Sequence, residues 1–440
     1  MDLKISARNV RAVAYADIDI SGITVLSGIN GCGKSTISRF LYELLFGALR
    51  YNDLVDENSA VKLRSMAQSV FSAVTNLSGI LPKAESRKIS DLLVRVAFAH
   101  ARAEETRKAL VSTLGYLDGW FSGREKPFSE AQQALVKSAA SILSSIARDT
   151  SRQGKENSLA EIADSVRAEI DRLSEEAIET KSARSVGVFQ KFWAERFGKG
   201  LEPRAFSVLE NGIPICDTER NVIALPDSVK RVFYMDSPMA FGENRSRRDY
   251  WLALNRALVP TGELSPMFSY SGDGNEGILG GTFEWNDGKT DISYRLPDGQ
   301  SFEMFSNGAT GLKSFTMVQG LYRNGLVDSK TMLIIDEPEA HLHPQWIVRF
   351  ARLLVLLRKE TGCKLFISSH STDLVSSIKY IAEKELGASP AFYLAEQENP
   401  EKFAYSFRSL GDDIEPIFET FNRSFKLENI FSGVEDGDEV

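Results

Sequence analysis

The sequence predicts an α/β fold that is interrupted by a long helical segment, and three features of the 440 residues lead to this prediction. A short apolar run at residues 23–26 is followed by a glycine-rich turn and then by a helical pattern. No proline occurs between Pro127 and Pro203, where helix-forming residue types dominate. From about residue 309 onward, helical and strand patterns alternate, as they do in a layered α/β domain.

The composition excludes several classes of protein. Hydrophobic residues make up 43% of the chain, which is typical of a folded protein and excludes wholesale disorder. Acidic residues outnumber basic ones by 60 to 52, which disfavours a generally basic protein that wraps nucleic acid, although a local basic groove stays open. The three cysteines (Cys32, Cys216 and Cys363) lie far apart, so neither a disulfide framework nor a zinc ribbon is indicated.

The expected location is a reducing compartment, the cytoplasm. The first ten residues carry both acidic and basic side chains and lack the apolar core of a signal peptide. No apolar run approaches the roughly 20 residues needed to span a bilayer. We therefore expect no association with a membrane.

The patterns divide the chain into four segments. Residues 1–54 and 201–430 are predicted to form the two parts of one α/β domain, with a helical insertion at 55–200 between them and an acidic tail at 431–440. Hairpin turn dipeptides at 211–212, 287–288 and 298–299 predict an antiparallel β-subdomain within the second part.

The insertion is predicted to contain an antiparallel helical hairpin. Ser129 with Gln132, and Ser158 with Glu161, have the spacing of capping boxes, and apolar residues follow each box at steps of three and four. Earlier helices are expected at about 58–78 and 87–115.

A glycine-rich motif follows the first buried strand. Residues 28–36 read GINGCGKST, which fits the pattern GxxxxGK[ST] in full. Glycines let backbone N–H groups turn inward around phosphate oxygens, the lysine reaches the β- and γ-phosphates, and the serine is a Mg²⁺ ligand. A chance glycine-rich turn is disfavoured because strand and helix flank the motif. The predicted nucleotide-binding residues are Gly28, Asn30, Gly31, Gly33, Lys34, Ser35 and Thr36.

Two acids end a second apolar strand at residues 331–335. Asp336 is expected to bind Mg²⁺ together with Ser35, and Glu337 to orient and polarise an attacking water. An apolar run before two acids is common by itself. The functional interpretation is better supported here because the motif continues as PEAHLHP.

A third strand at residues 364–369 ends at His370. A histidine at the carboxyl end of a strand can contact a γ-phosphate or hold the water, although such a residue is more often a structural hydrogen-bonding group. Three of the four histidines, His341, His343 and His370, fall in these last two motifs, and only His100 lies elsewhere. That clustering favours a catalytic role for His370.

A small-residue segment, FSNGATGLKS at 305–314, lies before the acidic strand. Ala309, Thr310 and Gly311 stand at a predicted helix start, where N–H groups and a hydroxyl can meet a phosphate. An ordinary capped helix is the alternative.

Together these motifs resemble the ABC-type ATPase heads of the RecF and SMC kind. They are most similar to the prokaryotic AAA-labelled ATPases of the overcoming-lysogenization-defect (OLD) and Septu type, because the chain reads DEPEAHLHP and then SSHS. The resemblance covers about 1–50 and 204–425. It implies a P-loop NTPase fold: an ABC-ATPase head with a mixed or parallel core sheet, an antiparallel β-subdomain and an α-helical insertion.

The resemblance also implies roles for the motifs. ATP and Mg²⁺ are the expected cofactors, Glu337 and His370 the catalytic residues, 306–313 the signature and 340–343 the D-loop. Two subunits would form a head-to-tail dimer in which Thr310 and Gly311 bind a γ-phosphate in trans. The signature here reads ATGLK instead of LSGGQ, which weakens that last assignment.

Two assignments have structural alternatives that the sequence does not exclude. Asp236, after a strand at 232–235, is either part of a nucleotide lid or a strand-ending turn. The basic cluster of Arg245, Arg247 and Arg248, followed by Tyr250 and Trp251, either touches nucleic acid or is a solvated helix start, and the latter is the commoner case.

The leading hypothesis is a Mg²⁺-dependent ATPase that dimerises and gates a partner effector, a nuclease or toxin, in prokaryotic anti-phage defence or DNA-damage response. A DNA-repair clamp that binds DNA directly is the first alternative. A scaffold that binds ATP with little turnover is the second, and an ABC-transporter subunit is the weakest. We expect a homodimer or higher homo-oligomer, and no nuclease centre in this chain.

Overall fold

The computed structural model describes residues 3–98, 101–146, 158–188, 205–236, 249–259, 282–285, 291–295, 299–304, 310–398 and 402–420. The chain divides into two compact units. One unit consists of Met1–Leu49 with Phe189–Val440, and the other of Arg50–Val188.

The first unit is built on an eleven-stranded mixed sheet with the order β6-β5-β4-β1-β2-β14-β13-β3-β12-β11-β7, and a separate sheet has the order β10-β9-β8. The strands are β1 (Leu3–Val10), β2 (Val13–Ile20), β3 (Ile23–Ser27), β4 (Phe206–Glu210), β5 (Ile213–Asp217), β6 (Val222–Ile223), β7 (Arg231–Met235), β8 (Thr282–Trp285), β9 (Ile292–Arg295), β10 (Ser301–Glu303), β11 (Thr331–Asp336), β12 (Lys364–Ser369), β13 (Ala391–Gln397) and β14 (Tyr405–Gly411).

The described helices belong to both units. They are α1 (Lys34–Leu49), α2 (Tyr51–Asn76), α3 (Lys83–Phe98), α4 (Ala103–Ser122), α5 (Glu130–Ser144), α6 (Leu159–Ala183), α7 (Asp249–Leu258), α8 (Thr310–Arg323), α9 (Pro344–Thr361) and α10 (Thr372–Leu386). Within the described part of the chain, no helix is both long enough and apolar enough to cross a membrane.

The centre of the large sheet is parallel. β13, β3, β12, β11 and β7 are parallel neighbours in that order. Every residue of β3 and β11 is buried, as expected for strands covered on both faces. The other half of the sheet contains the antiparallel pairs of β1 with β2 and β4, and of β4 with β5. The predicted α/β fold with a mixed sheet is therefore confirmed.

The hairpin between β4 and β5 has the predicted turn chemistry. Asn211 and Gly212 both have positive φ, at 51° and 79°, as a turn that matches the strand twist requires. β8, β9 and β10 form the predicted antiparallel subdomain, in which β9 pairs with both neighbours. The turn dipeptide at 287–288 lies outside the described residues.

The second unit is a helical bundle around α2. Both predicted capping boxes are present: Ser129 and Ser158 each accept the N–H of the residue three positions later, and that residue's side chain accepts in return. α5 packs chiefly against α2, and α6 against α4 and α2. The two predicted hairpin helices, α5 and α6, therefore pack against the long helix α2 as well as against each other.

The prediction of one continuous helix at about 87–115 is wrong, because two helices occupy this region. α3 ends at Phe98, and α4 begins after Arg102, whose backbone is extended. Glu104 and Glu105 stand in the first turn of α4, where negative charge is favourable next to the helix N-terminus. Apolar spacing continues across the break, so periodicity alone concealed it.

Candidate functional site

The predicted motifs meet at one edge of the parallel sheet. Ser27 of β3 is level with Ser369 of β12, and Ser368 is level with Asp336 of β11. Because parallel strands end on the same side, the glycine loop, His370 and the two acids all follow strand ends at this edge. Segments separated by hundreds of residues in the sequence thus become neighbours.

The loop between β3 and α1 depends on glycine. Gly28, Gly31 and Gly33 all have positive φ, at 150°, 83° and 103°. A Cβ on Gly33 would lie 2.5 Å from Cγ2 of Val13, and one on Gly28 would lie 2.8 Å from Cβ of Ala395. Both the backbone conformation and the close neighbours exclude larger residues here.

Lys34 is buried at the start of α1, although it is charged. Its Nζ donates hydrogen bonds to the carbonyl oxygens of Gly28, at 2.8 Å, and Ile29, at 3.0 Å. The ammonium group is therefore held across the mouth of the loop. Asn30 and Ser35 are exposed and Thr36 is half-buried at the same helix start, so this end of the loop is open to a ligand.

Asp336 has an incompletely satisfied carboxylate. The residue is 7% exposed, and its Oδ2 accepts a hydrogen bond from the Tyr234 hydroxyl at 3.0 Å. Its Oδ1 is buried without a hydrogen-bond partner among the described residues. Burial raises the pKa of Asp336 to about 6, although the nearby hydroxyls of Ser35 and Tyr234 oppose the shift.

These residues fit a magnesium ion. An orphaned carboxylate oxygen close to a serine hydroxyl is an oxygen donor set of the kind that Mg²⁺ takes. Within the part of the chain that the structure describes, no group of three or more His, Cys, Asp or Glu side chains could hold a metal alone. Mg²⁺ commonly completes such a site with phosphate oxygens and water.

Glu337 has an unusual backbone. Its φ is 49°, in the left-handed region that residues other than glycine rarely adopt, and its N–H donates to the Ser368 carbonyl at 2.9 Å. The hydrogen bond ties this conformation to β12. Strained residues of this kind concentrate at functional sites.

His370 lies between two carboxylates. Its Nδ1 is 3.5 Å from Oε1 of Glu337 and 3.4 Å from Oε1 of Glu339. The Glu337 carboxylate raises the pKa of His370, and His370 in turn lowers the pKa of Glu337. The two predicted catalytic residues are therefore in electrostatic contact.

Glu339 is a site residue that the sequence analysis did not assign. It is buried, and its Oε1 accepts hydrogen bonds from the Ser369 hydroxyl at 2.7 Å and from the His370 N–H at 2.8 Å. The only sequence signal was the second glutamate of DEPE, and nothing in the sequence indicated that it reaches β12.

The predicted signature segment is only partly described. Ala309 lies outside the described residues, and Thr310 is the first residue of α8. Gly311 contacts the predicted D-loop of its own chain, since a Cβ there would lie 2.7 Å from Cδ2 of Leu342. The segments are thus adjacent within one chain.

His341 and His343 lie in the turn between β11 and α9. His341 has a φ of 66°, and His343 precedes α9 without capping it through its side chain. Among the described residues, neither imidazole makes a hydrogen bond to the predicted catalytic pair. Of the three clustered histidines, the structure places only His370 there.

Asp236 is held by two aromatic residues. Its carboxylate accepts hydrogen bonds from the Tyr250 hydroxyl at 2.5 Å and from Nε1 of Trp251 at 2.7 Å. These contacts favour the strand-ending turn over the lid. Tyr250 and Trp251 are 3% and 0% exposed, so the suggestion that they touch nucleic acid is wrong. The arginines at 245–248 lie outside the described residues.

A family comparison bears on the same motifs. Residues 318–376 match the family model described as "AAA domain, putative AbiEii toxin, Type IV TA system". This segment includes Asp336, Glu337 and His370 but covers well under half of the chain. No curated protein matches the chain.

The chain is also similar to solved SMC heads. The SMC head domain from Thermotoga maritima is 12% identical, with 93% of this chain and 99% of that chain covered, at a TM-score of 0.34. The Pyrococcus furiosus Smc head with an extended coiled coil, bound to the C-terminal domain of ScpA, is 11% identical, with 97% and 100% covered, at 0.32. Scores this low carry no argument about function. The strand order, the register and the glycine loop themselves define an ATPase-like P-loop α/β fold.

Proposed function

We propose that this protein is a Mg²⁺-dependent ATPase. The observation that supports this most directly is the convergence of Lys34, Asp336 and Glu337 at one edge of the parallel sheet. A glycine loop with a buried lysine binds phosphates, an acid close to the loop serine binds a cation, and a second acid can act on water.

Lys34 is the proposed phosphate-binding cation. Its ammonium group donates hydrogen bonds to the carbonyls of Gly28 and Ile29, within the loop that would surround the phosphates. Phosphate oxygens are stronger acceptors for an ammonium group than neutral carbonyls, because both partners are charged. Residues 28–36 would provide the surrounding N–H groups.

Ser35 and Asp336 are the proposed magnesium ligands. Bound there, Mg²⁺ would neutralise charge on the β- and γ-phosphates. The unpartnered Oδ1 of Asp336 supports this assignment, since a cation would offset its burial.

Glu337 and His370 are the proposed catalytic residues. The lowered pKa of Glu337 keeps its carboxylate ionised at neutral pH, and an ionised carboxylate can accept a hydrogen bond from the attacking water. His370 can place its second ring nitrogen against the γ-phosphate. Both side chains are about two-fifths exposed, so both are accessible to substrate and water.

We extend the proposal to a head-to-tail homodimer that gates an effector. Thr310 and Gly311, which begin α8, are the proposed contacts to the γ-phosphate of the other subunit. The matched family's description names a putative toxin and a toxin–antitoxin system, which supports a toxic effector. We propose that this effector, a toxin or a nuclease, acts in a cytoplasmic anti-phage defence system.

The test is phosphate release by the purified chain with ATP and Mg²⁺. We expect turnover that chelation of Mg²⁺ abolishes and that Lys34→Ala reduces to background. Lys62→Ala, which removes an exposed lysine of the helical unit, serves as the matched control and should leave turnover intact. A wild-type chain that neither binds nor hydrolyses ATP would overturn the proposal. Metal-dependent nicking of DNA by the chain alone would contradict the need for a separate effector.

A further inference from the structure

We infer that Glu339 is the positioning residue for His370: its buried carboxylate holds Nδ1 of the imidazole in the protonated form, so that Nε2 is the atom presented to the nucleotide. This inference rests on the ATPase function proposed above, since that function gives His370 its substrate. It adds to the site a residue that acts through the histidine and does not itself touch the nucleotide.

The Glu339 carboxylate is fixed in place. Its Oε1 accepts hydrogen bonds from the Ser369 hydroxyl and from the backbone N–H of His370. The Ser369 oxygen in turn accepts the N–H of Ser371, whose own side chain caps α10 by accepting the Leu374 N–H at 3.2 Å. The carboxylate is thus anchored to the end of β12 and, through it, to the start of a helix.

The same oxygen faces the imidazole. Oε1 of Glu339 is 3.4 Å from Nδ1 of His370, and Oε1 of Glu337 is 3.5 Å from it. Nδ1 is buried and makes no hydrogen bond of standard geometry among the described residues, and the two carboxylate oxygens nearest to it are both acceptors. A ring nitrogen facing only acceptors carries the hydrogen, and the partner of one ring nitrogen determines which form the other takes.

Of the two carboxylates, Glu339 is the better anchor. Its side chain is 5% exposed, whereas that of Glu337 is 40% exposed. An exposed carboxylate exchanges its partners with water, while a buried one keeps its position. Glu337 is therefore left to act on water, and Glu339 orients the ring.

The charge of Glu339 distinguishes this role from a purely structural one. A neutral glutamine could still accept the hydrogen bonds from Ser369 and His370 through its amide oxygen, more weakly than a carboxylate but at a smaller cost of desolvation. The Oε2 atom is buried without a partner among the described residues, so the carboxylate gains nothing further from the protein there. The imidazole, which can itself carry a positive charge, gains most from the negative charge.

Nitrogen-15 NMR of the imidazoles tests the inference without any need for turnover. The chain has four histidines, so His370 can be assigned by comparison with His370→Ala. We expect a protonated Nδ1 on His370 in the wild-type chain. Glu339→Gln, which retains the size and the acceptor, should shift His370 toward the form with hydrogen on Nε2. An unchanged His370 signal in Glu339→Gln would overturn the inference.

Kinetics provide the second test. Glu339→Gln should lower kcat about 10- to 100-fold, as loss of such supporting groups typically does, with little change in KM. In the His370→Ala background the same change should have no further effect, because the residue acts through the ring. Multiplicative effects of the two changes would show a structural role and overturn the inference. Absence of ATPase activity in the wild type would instead overturn the proposed function, and the NMR result would still decide the role of Glu339.

Discussion

The Tyr234 hydroxyl donates a hydrogen bond to Oδ2 of Asp336 at 3.0 Å, between the neighbouring parallel strands β7 and β11. Tyr234 is packed against the rings of Tyr42 and Tyr250, so its hydroxyl is held in place. One oxygen of the acid is thereby oriented by the protein. The other remains available near Ser35, which is the arrangement expected for a cation ligand.

Replacement of Asp336 by Asn should stabilise the ligand-free protein at neutral pH. An acid whose pKa rises from 3.8 to about 6 on folding destabilises the fold at pH values above both, and this effect disappears as the pH falls below the unfolded value. The gain for Asp336→Asn should be on the order of 2–3 kcal/mol at pH 8 and should disappear as the pH falls below 3.8. Chemical denaturation at a series of pH values measures it.

The exposed Asp91 of α3 offers a matched control. Asp91→Asn should change the free energy of unfolding little at any pH, because the residue is exposed. Mg²⁺ with ATP should stabilise the wild type and Asp91→Asn but not Asp336→Asn. Equal stabilities of wild type and Asp336→Asn at pH 8 would contradict the burial argument.

Tyr234→Phe should weaken the metal site without disturbing the aromatic packing. The change removes the hydrogen bond to Asp336, and such bonds to charged groups are worth about 1.5–3 kcal/mol. We expect lower stability above pH 6 and a higher Mg²⁺ requirement for ATP hydrolysis. Titration of Mg²⁺ at fixed ATP measures the second effect. The same Mg²⁺ dependence in both proteins would show that Tyr234 does not orient the ligand.

Gly33→Ala should disable the phosphate loop. The new Cβ would be 2.5 Å from Val13 at a φ of 103°, so both a clash and backbone strain oppose it. Gly387→Ala is the matched control, because Gly387 has a φ of 65° with no atom within 4 Å of the new Cβ. The control should cost about 1–2 kcal/mol of stability, from the left-handed backbone alone, and leave ATP affinity intact. Gly33→Ala should lose measurable ATP binding in calorimetry.

Glu337→Gln should trap an ATP-bound dimer. The amide cannot accept a proton from water, while Lys34 and the magnesium ligands are retained, so ATP should bind without turnover. Light scattering with and without ATP measures the mass, and Lys34→Ala should remain unaffected by ATP. If Glu337→Gln hydrolysed ATP at the wild-type rate, Glu337 would not be the residue that activates the water.

Part of the structure could be predicted from the sequence because it depends on local residue patterns. The glycine loop, the capping boxes and the buried strands depend on residues a few positions apart, and their spacing reports the backbone directly. The break between α3 and α4 was not readable, because apolar spacing continues across it. The burial of Tyr250 and Trp251 was not evident from the sequence for a related reason, since burial depends on neighbours remote in the sequence.

The sequence by itself determined the α/β class, and it singled out the glycine loop, Asp336, Glu337 and His370 as the candidate site residues. Only the tertiary structure decided that Tyr234 orients Asp336 and that Glu339 reaches His370. These contacts join neighbouring strands, and strand order results from the packing of the whole sheet. No periodicity in the chain encodes which strand ends become neighbours, whereas the register of β7, β11 and β12 places these side chains within hydrogen-bonding distance.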